Sequence, residues 1–205
     1  MPTTIINAGD ITNTHVSASA AISRSKLAQE GKKFLVPFEE FRIFDSASNA
    51  VLPNTAATDD LGFVLGTRGT SGNTIQTADA KNTTVTQKAA FRFWLPAEYD
   101  AAETIQLVSY GGMNTTVANG TATVDFSVYS QSIDDNTHSA DLITTSAQTI
   151  NSLTFAAQTF DVTATGLSNG NVLNCLMTVA ITDSATGTAV IGQFTQVYFL
   201  LDVRG

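Results

Sequence analysis

Residues 84–96, TVTQKAAFRFWLP, decide the fold class. Val85, Ala89, Phe91, Phe93 and Leu95 fall on one side of a two-residue repeat, with Lys88, Arg92 and Trp94 on the other. A period of two belongs to an extended strand with one face buried. The alternation returns in TATVDFSVYS at 121–130, where Val124, Phe126 and Val128 point inward, and in NVLNCLMTVAI at 171–181, through Leu173, Cys175, Met177, Val179 and Ile181. TIQLVSY at 104–110 and AVIGQFTQVYFLLDV at 189–203 read as further strands, the second long and terminal.

Composition agrees with that reading. Charged residues make up 14% of the 205, against about 25% in an ordinary globular chain, while hydrophobic residues reach 43%. Polarity comes mainly from neutral hydroxyls and amides. About thirty residues are threonine, and its β-branched side chain suits a pleated surface better than a helix. Two weaker strands are expected within 142–165, and one in the loop-rich segment 45–83, at LGFVL (61–65). With no helical stretch between strands, the expectation is an all-β chain of about eight to nine strands, a jelly-roll-like β-sandwich.

The first sixth differs in texture. Residues 1–33 are rich in small side chains and hold no Phe, Tyr or Trp, whereas FLVPFEEFRIF at 34–44 brings four phenylalanines at once. We therefore expect an N-terminal arm at 1–33, extended or short-helical, and a β-sandwich domain at 34–205. Ser17 or Ser19 would cap a helix running to about Gln29, with Gly31 placed to end it. A helix that short needs a surface to lie on, supplied by another copy or a partner. Pro37, inside the first apolar run, points to an edge strand or a strand start.

Charge is unevenly placed. Of ten basic and eighteen acidic residues, net −8, residues 93–205 hold ten acids and one base, Arg204. Arg24, Lys26, Lys32 and Lys33 form a small basic cluster in the arm, which suggests contact with an acidic protein surface. The acidic body repels polyanions, so nucleic acid is not expected as a partner. No apolar run is long enough to cross a bilayer, and the opening MPTTIINAGD lacks the basic and apolar regions of a secretory signal, so synthesis in the cytoplasm and no membrane partner are expected.

Motifs for chemistry are sparse. With one cysteine, Cys175, and two histidines, His15 and His138, the chain cannot form an internal disulfide or a closed Cys/His zinc site. His138 lies in DDNTHSAD beside Asp134, Asp135, Asp141, Ser132 and Ser139. No G-x-S-x-G accompanies it, and a solvated loop histidine is the plainer reading. The same loop offers oxygen ligands for calcium but breaks the EF-hand pattern, with Ser139 at the glycine position and Thr145 in place of the glutamate. Glu98, Asp100 and Glu103 crowd one turn, as solvated acids do, although a glycosidase pair would need such groups across a cleft. The GTRGTSG run at 66–72 lacks the lysine of a phosphate loop. Sequons at Asn82, Asn114 and Asn119 are what a chain rich in Asn and Thr produces by chance. No catalytic residue, metal or cofactor is assigned, and the chain is expected not to be an enzyme. Trp94, Tyr110 and Tyr129 stand on faces opposite the inferred core, where they offer a sugar-binding platform or a subunit contact.

The arm carries a resemblance. IINAGDITNTHVSASAAISRSKLAQ is similar to a segment of tailed-bacteriophage virion proteins, through Ile11, Asn13, Val16, Ala20, Ala21, Ile22, Ser25, Lys26 and Leu27. The β-domain, with its LTFAAQTF, DSATGTAVIG and LLDVRG segments, resembles phage accessory structural proteins more loosely. The resemblance implies a non-enzymatic virion protein on the outer capsid surface, a homotrimeric decoration or cement protein on the major capsid protein lattice. Ile11, Val16, Ile22, Arg24, Lys26, Leu27, Lys32 and Lys33 are then the contact residues of the arm. The alternative it implies is a short tail-associated receptor-binding or fibre protein that recognises host surface glycans. No long repeat or shaft of the kind a fibre carries is present.

Overall fold

In the computed structural model, residues 29–44, 49–101 and 103–204 are described. The ten strands among them are β1 (Gln29–Leu35), β2 (Gly62–Val64), β3 (Thr74–Gln76), β4 (Thr84–Trp94), β5 (Ile105–Met113), β6 (Gly120–Gln131), β7 (Gln148–Thr149), β8 (Ala156–Val162), β9 (Val172–Asp183) and β10 (Gly192–Arg204). They form two antiparallel sheets. One has the order β2-β3-β10-β5-β8, with β1 also paired to β10, and the other the order β4-β9-β6-β7. The chain is an all-β, jelly-roll-like sandwich. Among the described residues no helix is long and apolar enough to cross a membrane.

The long strands follow the alternation of their sequences. Ala89, Phe91 and Leu95 are buried, as are Val124, Phe126 and Val128 on β6 and Leu173, Cys175, Met177, Val179 and Ile181 on β9. They meet Leu107, Phe160, Phe194, Phe199 and Leu201 of the facing sheet. Aromatic rings tie the layers together. Phe41 lies 4.5 Å from Phe91, Phe91 is edge-on to Phe126 at 6.4 Å, and Phe126 crosses to Phe160 of the other sheet at 5.0 Å. Phe93 stacks on Phe199 at 4.3 Å. Each such pair contributes about 0.5–1.5 kcal/mol beyond the area it buries.

One strand, β3, exceeds the nine expected, while β7 and β8 are the two expected within 142–165. β2 and β3 form a small hairpin where one strand was expected, and β7 has two residues, too few for a period to register. β1 starts at Gln29, across the expected boundary at 33/34, and pairs with β10 from Gln29↔Arg204 to Leu35↔Tyr198. A ladder of backbone hydrogen bonds needs no particular side chains, so the aromatic run at Phe34 marks where the core contacts begin rather than where the sheet begins. β1 ends just before Pro37, consistent with an edge strand. The motif at 11–27 and residues 17–28 of the arm's expected helix lie outside the described residues, and its expected end, Gln29 to Gly31, is strand β1.

Several polar side chains are built into the interior, Gln87, Ser109 and Gln158 among them. Gln87 occupies an inward position of β4, where it accepts the Ala78 amide at 2.7 Å and donates to the Ala57 carbonyl, pinning two loops at once. Ser109 donates to Gln158 at 3.2 Å between β5 and β8. Gly120 has φ +149°, and a Cβ there would sit 1.9 Å from the Thr182 carbonyl oxygen. Only glycine allows β6 to begin so close to β9.

Candidate functional site

The outward positions of β4, β9 and β6 fall into register across the four-stranded sheet. Arg92 pairs with Asn174 and Asn174 with Tyr129, so these three side chains form one cross-strand row. The next row is Trp94, Val172 and Gln131. The rows toward the other end hold Ala90, Leu176 and Ser127, then Lys88, Thr178 and Asp125. Large rings and amides therefore gather at the Trp94 end, and aliphatic, hydroxyl and charged side chains cover the rest.

Walls on both sides turn this face into a cleft. Along the open edge of β4, Arg42 exchanges backbone hydrogen bonds with Ala90 at 2.8 and 2.9 Å, which stands Ile43, Phe44 and Asn49 beside the sheet. Beyond β6, the loop 132–141 folds back so that His138 stacks on Tyr129, with centroids 6.3 Å apart. Asn174 donates to Gln131 at 3.4 Å, and its Nδ2 lies 3.4 Å from His138 Nε2. The open cleft has a volume of about 740 Å³, within the roughly 300–1,000 Å³ of small-ligand sites. Trp94 is 59% exposed and Phe44 49%.

The charge of the cleft is opposite in sign to that of the chain. Arg42 donates to the Glu39 and Phe41 carbonyls, which orient it without neutralising it. Arg92 is exposed, and among the described residues it has no carboxylate partner. Lys88 Nζ lies 5.4 Å from the centre of the Phe44 ring. Glu40 is the one carboxylate among the described lining residues.

The loop bearing His138 is rigidly tied. Asp141 accepts the Val128 amide at 2.9 Å and the Ile143 amide at 3.0 Å, and Ser139 bonds both ways with Ser130. Asp135 accepts the Thr137 hydroxyl and amide, and these bonds hold its carboxyl below the usual carboxylate range. The oxygens read from sequence as possible calcium ligands thus organise the loop, and no group of three or more metal-ligating side chains occurs among the described residues.

Of the residues singled out in the sequence, Trp94 and Tyr129 face this cleft. Tyr110 lies on the outer face of the other sheet, paired with Gln196 and Ala157, so the three aromatics do not share one platform. Alternation shows that a side chain points outward but not which sheet it belongs to. Ile11, Val16, Ile22, Arg24, Lys26 and Leu27 lie outside the described residues. Lys32 and Lys33 are exposed on β1, and Lys33 Nζ sits 4.8 Å from the Tyr198 ring centre. Glu98, Asp100 and Glu103 fall in the β4–β5 turn, away from the cleft, around a buried Tyr99 whose hydroxyl donates to the Glu103 carbonyl. The glycine-rich run closes on itself between β2 and β3 through Thr67–Ser71 bonds. Asn174, Arg42 and the placement of His138 were missed. Asn174 carries the one available signal, as an amide among outward positions of a strong strand.

No family model and no curated protein matches the chain. Solved structures similar to it include a xylan-binding module CBM15, at 13% identity over 86% of this chain and all of that one, TM-score 0.45. The CBM22-2 xylan-binding domain of Paenibacillus barcinonensis Xyn10C matches at 14% identity, covering 83% of this chain and 98% of that one, TM-score 0.44. The Clostridium thermocellum xylanase 10B CBM22-1–GH10 structure matches at 10% identity and TM-score 0.42, over 83% of this chain but only 28% of that longer one. Identities and TM-scores this low place the chain in none of these families, and its site stands on its own geometry.

Proposed function

We propose that this chain is a non-catalytic glycan-recognition module whose binding site is the cleft over β4, β9 and β6. The observation that carries the reading is the pairing of an exposed Trp94 with the Tyr129–His138 stack on one open face, separated by hydrogen-bonding side chains. Sugars have apolar C–H faces and hydroxyl edges. An indole ring left in water gains most from the first, and the amides of Asn174 and Gln131 match the second. Neighbouring strands lie about 4.8 Å apart, so two strand spacings separate Trp94 from Tyr129 by roughly 10 Å across the sheet. That leaves room for more than one ring of an oligosaccharide. The cleft is open, as a site for an extended chain must be.

The virion setting implied by residues 11–27 is part of the same proposal, in its receptor-binding form: the arm attaches the module to the particle, as a trimer, and the cleft reads a host-surface glycan. The capsid-decoration reading rests on arm contacts of which only Lys32 and Lys33 lie within the described residues, and no feature of the cleft favours it. A panel of immobilised polysaccharides tests the reading. Trp94→Ala and Tyr129→Ala are expected to lower affinity at least tenfold for whichever member the wild type retains, while Tyr110→Ala on the opposite sheet leaves it unchanged. Retention of no polysaccharide, or wild-type affinity in Trp94→Ala, overturns it.

A further inference from the structure

We infer that the cleft selects an anionic glycan, one bearing uronate carboxylates, an inference that rests on the glycan reading and specifies its substrate class. The chain carries a net charge of −8, yet Arg42 and Arg92 both line this one cleft and Lys88 borders it at Phe44. Two guanidinium groups on a neutral sugar's site would have little to do that amides could not. A carboxylate, in contrast, is matched by the planar fork of an arginine, and such charge-assisted bonds are about twice as strong as neutral ones.

The positions suit that role. Arg92 is two residues from Trp94 on the same face of β4, so a ring stacked on the indole presents its substituents to the guanidinium. Arg42 stands on the β4-side wall, its Nη1 held by two backbone carbonyls, so little conformational freedom is lost when it takes up an anion. Glu40 in the lining and Asp60, whose carboxylate accepts the Phe44 amide at 3.2 Å near Lys88, are the opposing charges, and they disfavour a polyanion lying along that margin. The acidic body does the same at long range, which limits capture of unrelated polyanions to those able to place a carboxylate between the two arginines. A single-stranded nucleic acid would also find rings to stack on and cations to contact. Its closely spaced phosphates, however, need a longer basic track than two arginines and a lysine provide.

The test uses polysaccharides in matched pairs, each uronate-containing polymer beside its carboxyl-reduced form, with a twenty-nucleotide oligothymidylate as a third probe. The wild type is expected to bind at least one uronate polymer and to lose ten-fold or more in affinity for its reduced partner. Arg92→Gln should bind both forms of the pair equally and weakly, whereas Arg68→Gln, in the exposed β2–β3 turn, keeps the wild-type preference. A folded Arg92→Gln that retains the full preference, or a wild type that binds reduced and unreduced polymers alike, overturns the anionic selection and leaves the glycan reading standing. Binding of the oligothymidylate with no polysaccharide retained overturns both.

Discussion

Tyr129 and His138 stack with 22° between their ring planes, and one belongs to a strand while the other belongs to the loop that follows it. The contact makes the loop a wall of the cleft. It is also secured from behind, because Asp141 accepts amides from both Val128 on β6 and Ile143 on the far side of the loop. A reversal of chain direction this tight would otherwise leave those donors without protein partners.

Asp141→Ala removes that anchor. The two amides lose their acceptor, and the expected cost is about 1–2 kcal/mol, concentrated in the loop because the neighbouring ladder of β6 to β9 is untouched. Hydrogen exchange should show faster exchange at residues 132–143 with the core strands unchanged. Affinity for the bound glycan should fall, since His138 no longer holds its place on Tyr129. A uniform rise in exchange over the whole chain would show that the anchor serves the sandwich and not the wall.

Asp183 gives the fold a pH dependence of known sign. At the end of β9 its carboxylate accepts the Thr186 hydroxyl at 2.5 Å, the Asn82 amide at 2.9 Å and the Thr186 amide at 3.2 Å. The Thr186 hydroxyl is the main cause of a carboxyl held below its ordinary range, with the Asn82, Thr186 and Ala185 amides adding to it and burial opposing it. Folding therefore favours the ionised form. The stabilisation is fully present above the ordinary carboxylate pKa of about 3.9 and is lost as pH falls through the lowered value. The melting temperature of the wild type should fall below pH 4 more steeply than that of Asp183→Asn. The variant should melt lower at pH 7, and the two curves should converge in acid. Parallel curves from pH 7 to pH 2 would contradict this account.

How much of this was open to reading follows from the physics of each element. β4, β6, β9 and β10 are long and buried on one face, so a period of two is written into Phe91, Val124, Met177 and Phe199. β2, β3 and β7 are two or three residues long and fix no period. β1 is held by its backbone ladder to β10, which leaves no mark in the polar stretch QEGKK at 29–33. Gln87 interrupts the apolar inward pattern of β4, and its partners, Ala57 and Ala78, come from loops whose approach depends on the whole fold. For the site, sequence gave Trp94 and Tyr129 as outward rings. Their meeting depends on β9 lying between β4 and β6, a pairing order that alternation does not encode. His138 reads as a solvated loop residue until Asp141 is seen folding that loop onto the sheet.

Cys175 reports on the integrity of the sandwich directly beneath the cleft. It lies in the middle of β9, on the inward side, paired with Phe91 and Val128 on the adjoining strands and 3% exposed. Burial pushes its thiol well above the ordinary cysteine value, and the nearby negative charge of Asp141 acts in the same direction. The thiolate is the reactive form, so the native chain should be inert to an aromatic disulfide reagent at neutral pH. Labelling should then require opening of the β4–β9–β6 core. Its rate across a denaturant series should follow the global unfolding equilibrium measured by circular dichroism, with the same midpoint and slope. Asp141→Ala tests the division of labour, because it frees the loop without unpacking β9. Fast labelling of Cys175 in that variant, with its circular dichroism transition unchanged, would mean that the loop also shields the core beneath the cleft.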